Sequence, residues 1–156
     1  AFSSPGDEEA LARLAPSHLK FAVVGIGGSA GGLQALLKFF EHMPANPGMA
    51  FVVVLHLSPH HDSNAAEILQ RTCAMPVKQV SASVLIEVNH VYVIAPRAEL
   101  LMNDGHLQLA LKVRPLGPAV SIDVFFRTLA QVHRTHAFAI ILSGTGSDGA
   151  VGLARI

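Results

Sequence analysis

Three residues far apart in this chain have the types that nucleophilic acyl transfer needs: Ser29, His56 and Asp148. A hydroxyl attacks, an imidazole takes and returns its proton, and a carboxylate orients and stabilises the imidazolium. Each stands where an apolar stretch gives out. Ser29 lies in Gly25-Ile26-Gly27-Gly28-Ser29-Ala30-Gly31-Gly32, directly after Phe21-Ala22-Val23-Val24. His56 follows the apolar stretch 49–55, and Asp148 falls in Ser143-Gly144-Thr145-Gly146-Ser147-Asp148-Gly149, after the apolar stretch 138–142. The glycine run admits two readings. Gly27-x-Ser29-x-Gly31 fits a nucleophile elbow, a cramped strand-to-helix turn where neighbouring glycines make room for the bend and the substrate. Gly25-x-Gly27-x-x-Ala30 fits the weaker form of the dinucleotide fingerprint, in which a helix N-terminus receives a pyrophosphate. That second reading calls for an Asp or Glu at the end of the following strand, about twenty residues on. His56 occupies the neighbourhood instead.

Taken singly, each residue has an ordinary role. Ser29 fits a small filler or helix cap, His56 a hydrogen-bonded strand-end histidine, and Asp148 a cap for a helix beginning at Gly149. Together, at the ends of three strands, they make a hydrolase the better reading, with a nucleotide-binding module and a catalytically silent signalling adaptor as its rivals. The order Ser, His, Asp along the chain differs from the Ser, Asp, His order of α/β-hydrolases.

The elements that would position them follow from pattern. Residues 21–26 read as a first strand, 32–42 as a helix ended by Pro44, and 49–55 as a second strand. An uninterrupted apolar run of that kind marks a strand covered on both faces. A helix is expected over 62–71 and short strands over 77–80 and 91–94. The stretches 100–102 and 106–109 flank Asn103-Asp104-Gly105, whose residues tolerate positive φ and so suit a hairpin turn. Ser121 caps a helix reaching His136, with His133 and His136 in its last turn, where positive charge is tolerated, and 138–142 is a last buried strand. The expected fold class is α/β: a doubly wound, mostly parallel sheet with helices on both faces and a small β-hairpin. In such sheets the carboxyl ends of the strands share one edge, where ligands bind near a topological switch point.

At 156 residues the chain has the size of one domain, burying about two thirds of its unfolded surface. Hydrophobic residues make up 51% and charged residues 14%, a balance suited to a buried parallel sheet or to surface normally covered by another segment. The net charge of zero argues against a nucleic-acid surface. Cys73 is the single cysteine, which excludes an internal disulfide, makes a reducing cytoplasm the simplest location and reads as an inert buried thiol. No apolar stretch approaches the roughly 20 residues of a membrane helix. His56, His60 and His61 are the best metal candidates, yet Pro59 breaks any helix that would align them and no cysteine lies nearby, so no metal is expected. Residues 1–18 read as a flexible tail or linker and 19–156 as one folded domain.

Five segments carry a more specific resemblance: Gly27-Gly28-Ser29-Ala30-Gly31-Gly32, Val54-Leu55-His56-Leu57-Ser58-Pro59, Val91-Tyr92-Val93-Ile94-Ala95-Pro96, Ser121-Ile122-Asp123-Val124-Phe125-Phe126, and the run from Leu142 to Gly149. In this order and spacing the chain resembles CheB-type chemotaxis protein-glutamate methylesterases from about Phe21 to Ile156. The resemblance implies a Ser-His-Asp triad of Ser29, His56 and Asp148, oxyanion binding by the backbone N–H groups of Ala30 and Thr145, and no cofactor. It implies hydrolysis of glutamyl methyl esters on the cytoplasmic helices of chemoreceptors, and in many members deamidation of receptor glutamines. It further implies a regulatory receiver domain, or a methyltransferase domain, elsewhere in a full-length protein; residues 1–19 are too short to hold a receiver. The resemblance also implies that 19–156 is a catalytic domain truncated at its C-terminus, so that a C-terminally extended chain, with its apolar sheet edge covered, is expected to melt higher and turn over faster.

Overall fold

The computed structural model describes residues 11–29, 32–56, 64–95, 98–110, 121–142 and 154–156. Strand β1 (Ala22–Ser29) pairs in parallel with β2 (Met49–His56) on one side and β8 (Ala137–Ile141) on the other. Strands β3 (Val77–Val80) and β5 (Val91–Ile94) complete a five-stranded parallel sheet of order β3-β5-β2-β1-β8. The chain winds outward from β1 to β3, returns through β5, and places β8 on the far side of β1. Between β1 and β8 the winding reverses, which makes their carboxyl ends a topological switch point.

The run over β2 behaves as its composition demands. Ala50, Val52 and Val54 enter a cluster on one face of the sheet, while Phe51, Val53 and Leu55 enter a cluster on the other. Helices α1 (Gly32–Glu41) and α2 (Ala65–Thr72) contribute Leu36, Phe40, Ala65 and Leu69 to the second cluster. There the rings of Phe39, Phe40 and Phe51 meet edge to face, with centroids 5.1 to 5.9 Å apart. The first cluster is closed by helix α3 (Ser121–His133), through Ile122, Phe125, Phe126, Leu129 and Val132. Helices therefore cover both faces.

A small antiparallel sheet packs on the α3 side: β4 (Val84–Leu85), β7 (His106–Ala110) and β6 (Glu99–Asn103), in the order β4-β7-β6. The expected hairpin is there. Asn103 pairs with His106 across a two-residue turn in which Asp104 has φ 44° and Gly105 φ 74°, both positive as a type I′ turn requires. Thr128 locks this sheet to α3, its Oγ1 donating to the Phe125 carbonyl at 2.8 Å and accepting from the Met102 N–H at 2.9 Å. Residues 11–19 are tied to the same region. The Ala15 N–H donates to Asn103 Oδ1 (2.7 Å), Asp104 N–H to the Ala15 carbonyl (3.0 Å) and Ser17 N–H to the Val132 carbonyl (2.8 Å), while Leu14 and Leu19 pack on the core.

Two local readings are corrected. The first strand does not stop at Ile26 but continues through the glycines to Ser29; the reason is packing, given with the site below. The helix expected to reach His136 ends as α-helix at His133 and finishes in a 3-10 turn, Arg134–His136, where Arg134 takes φ 51°.

His133 is also not a charged end-cap. It is 4% exposed, and its Nε2 donates to the Phe21 carbonyl at 2.8 Å. Burial pushes its pKa below the ordinary histidine value, and the His136 imidazole, 5.7 Å away between ring centroids, opposes its charge further. A histidine depressed in the fold binds fewer protons there than in the unfolded chain. Its contribution to stability is complete above the unfolded value of about 6.5 and is lost as the pH falls towards the folded value. Acidification from about pH 7 to about pH 5 should thus lower the melting midpoint of the wild type more than that of His133→Gln, which keeps a donor but cannot titrate. Parallel midpoints across that range would rule the contribution out.

Candidate active site at the carboxyl edge of the sheet

Ser29 is the last residue of β1 and His56 the last of β2, and the two are partners in the parallel register. Adjacent strands run about 4.8 Å apart, so the backbones of two residues that lie 27 positions apart in sequence are neighbours at one edge. On the other side of β1, β8 ends at Ile141, and the Leu142 N–H donates to the Gly27 carbonyl at 2.8 Å. Leu142 therefore stands beside the end of β1, at the switch point. Asp148, Thr145 and Ala30 lie outside the described residues, as do His60 and His61.

The glycines at 25, 27 and 28 serve the approach of neighbouring elements, not a turn. Gly25, Gly27 and Gly28 sit in extended strand, and among the described glycines only Gly48 and Gly105 have positive φ. A Cβ at Gly25 would come within 2.8 Å of Phe126 Cε1, and one at Gly27 within 2.5 Å of Ile122 Cγ2. Both would collide with α3. Gly28 faces the opposite way, where a Cβ would meet Leu142 Cβ at 3.3 Å, Leu55 Cδ2 at 3.6 Å and the Gly32 Cα at the start of α1 at 3.9 Å. Helices thus close on both faces of β1 just before Ser29. The phosphate-binding reading needs Gly25 and Gly27 in a turn that opens a helix, whereas here they lie inside a strand that runs on to Ser29.

Sequence reasoning missed the part played by α3. The signal was present in the helical spacing of Ile122, Phe125, Phe126 and Leu129, all at most 2% exposed. What it would pack against was not readable, because the gap left by two glycines exists only in the sheet. Cys73 offers no competing nucleophile. It is buried at the end of α2, and burial raises its thiol pKa, which disfavours the thiolate. Among the described residues no group of three or more His, Cys, Asp or Glu side chains gathers as a metal site would, and no helix is long and apolar enough to cross a membrane.

A doubly wound α/β domain with a serine and a histidine abreast at its switch-point edge is the class of protein that fold and site define. The family model for CheB methylesterase matches residues 24–156, and the chain belongs to that family. A Leptospira interrogans relative is 31% identical over 88% of this chain and 72% of its own length. The protein-glutamate methylesterase/protein-glutamine glutaminase of Agrobacterium fabrum is 33% identical over 86% of this chain, which spans only 39% of that protein. Among solved structures, the CheB methylesterase catalytic domain of Thermotoga maritima superposes with a TM-score of 0.74 at 25% identity, covering 88% of this chain and 75% of that one.

Proposed function

We propose that this domain hydrolyses methyl esters of glutamate side chains on chemoreceptors through Ser29, His56 and Asp148, with deamidation of receptor glutamines as a second reaction of the same site. The observation that carries the reading is the register pairing of Ser29 with His56 at the switch-point edge, in a chain of the methylesterase family. Ser29 Oγ attacks the ester carbonyl as His56 accepts its proton, and the tetrahedral oxyanion takes hydrogen bonds from the backbone N–H groups of Ala30 and Thr145. Collapse expels methanol, protonated by His56. Water, activated by the same imidazole, then releases the carboxylate and frees Ser29. Asp148 holds the imidazole in the tautomer that accepts from the hydroxyl. The cycle balances without a metal or organic cofactor. Because the base must be neutral, the proposal includes activity that rises with pH through roughly neutral, where an ordinary imidazole loses its proton at about 6.5.

The proposed partners are the cytoplasmic helices of methylated receptors, and in the full-length protein a regulatory receiver or methyltransferase domain, so that the reaction takes place in the cytoplasm. The test is methanol release from a methylated receptor peptide, run beside fluorophosphonate labelling mapped to its residue. Methanol release together with labelling at Ser29 is expected. Neither signal, with melting raised by a nucleotide, would replace the esterase with the nucleotide binder; neither signal and no nucleotide effect would leave the silent adaptor.

A further inference from the structure

Helix α3 comes close to β1 just before Ser29. Gly27 precedes Ser29 by one pleat period and has no conformational need to be glycine, since its φ is that of ordinary strand. The three atoms nearest to where its side chain would begin all belong to Ile122: a Cβ would stand 2.5 Å from Cγ2, 3.2 Å from Cδ1 and 3.4 Å from Cγ1 of that residue. Ile122 is 2% exposed and is the second residue of α3, so it presses on β1 from the helix end nearest the carboxyl edge. From the strand's sides, the Val54 partner on β2 and the Leu142 N–H bond to the Gly27 carbonyl hold the same residue in plane. We infer that Ile122, seated in the gap at Gly27, is a positioning residue that sets the end of β1, and with it Ser29, against His56. The inference rests on the reading of Ser29 as nucleophile.

The physics is the difference between a plane and a height. Strand pairing fixes β1 laterally, but along the normal to the sheet only packing acts, and side chains interdigitate at close-packed density with little slack. Ordinary contact begins near 3.4 Å, so a methyl group at Gly27 forces the Ile122 side chain and β1 to part by on the order of 1 Å. A misplacement of that size suffices for about a hundredfold loss when a nucleophile has to meet its base. Gly25 makes a similar approach to Phe126, but at twice the distance along the strand from Ser29.

The experiment measures the rate of fluorophosphonate labelling at Ser29, together with kcat and KM for a methylated receptor peptide, well below each variant's melting midpoint. Gly27→Ala is expected to slow labelling and kcat by about a hundredfold while KM moves little. Gly27→Ala combined with Ile122→Ala, which removes the three carbons nearest that Cβ, should recover most of that loss. Ile122→Ala alone should slow labelling by about tenfold, which keeps the test alive if Gly27→Ala does not fold. The control is Val132→Ala, an equally buried position of the same cluster about 15 Å down the helix, which should melt lower yet label like the wild type. Wild-type labelling rates in Gly27→Ala or in Ile122→Ala would overturn the inference, as would losses in Ile122→Ala and Val132→Ala that track melting alike. Failure of the wild type itself to label would instead remove the serine-nucleophile reading, and this inference with it.

Discussion

Ser29→Ala is expected to lower kcat for methyl ester hydrolysis by several powers of ten, up to about 10⁶, the scale of removing the nucleophile from a serine triad. Without the hydroxyl no acyl-enzyme forms, and the ester must be attacked directly by water. Residual hydrolysis should persist above the uncatalysed rate, because oxyanion donors and substrate binding remain and together supply about 10³ to 10⁴. The change deletes one oxygen at a strand end and adds no bulk, so far-ultraviolet circular dichroism and the melting midpoint should match those of the wild type. Substrate affinity should hold as well, since the hydroxyl acts on the reacting carbon and contributes little to binding the receptor helix. The decisive measurement is single-turnover methanol release. Release from Ser29→Ala within tenfold of the wild type would remove the covalent mechanism altogether.

Asp148→Asn separates two roles that a carboxylate after the last strand could fill. If Asp148 only caps a helix starting at Gly149, asparagine is an equally good cap, and neither stability nor activity should change. If it orients His56, the amide presents a donor where an acceptor is required, the imidazole settles in the wrong tautomer, and kcat falls by about 10⁴. The triad reading therefore predicts a large loss of turnover with an unchanged melting midpoint. Fluorophosphonate labelling should slow in step, because the same proton transfer limits it. A silent Asp148→Asn would assign the third role to another group and leave only Ser29 and His56 of the proposed machinery.

Legibility in the sequence follows a physical rule. Elements whose signal is local were readable: β2 from its unbroken apolar run, α1 and α3 from their helical spacing, and the 103–106 hairpin from residues that accept positive φ. β4 was not, because two residues, Val84 and Leu85, become a strand only by pairing with β7 more than twenty positions later. The end of β1 was misplaced for a related reason. Glycines are the usual punctuation of turns, and nothing in the sequence says that Ile122 and Phe126 will arrive to fill the gaps they leave. His133 likewise reads as a helix-end cation until the fold buries it against the Phe21 carbonyl.

The sequence by itself determined which chemistry was on offer, an α/β sheet carrying a serine, a histidine and an aspartate after three of its strands, because residue type and strand pattern are local properties. Only the tertiary structure decided that β1 and β2 lie side by side with Ser29 level with His56, and that β8 joins β1 from the other flank. Strand order and register are set by pairings between distant segments and by how closely a helix can settle on the sheet. Those are packing quantities, and no window along the chain contains them.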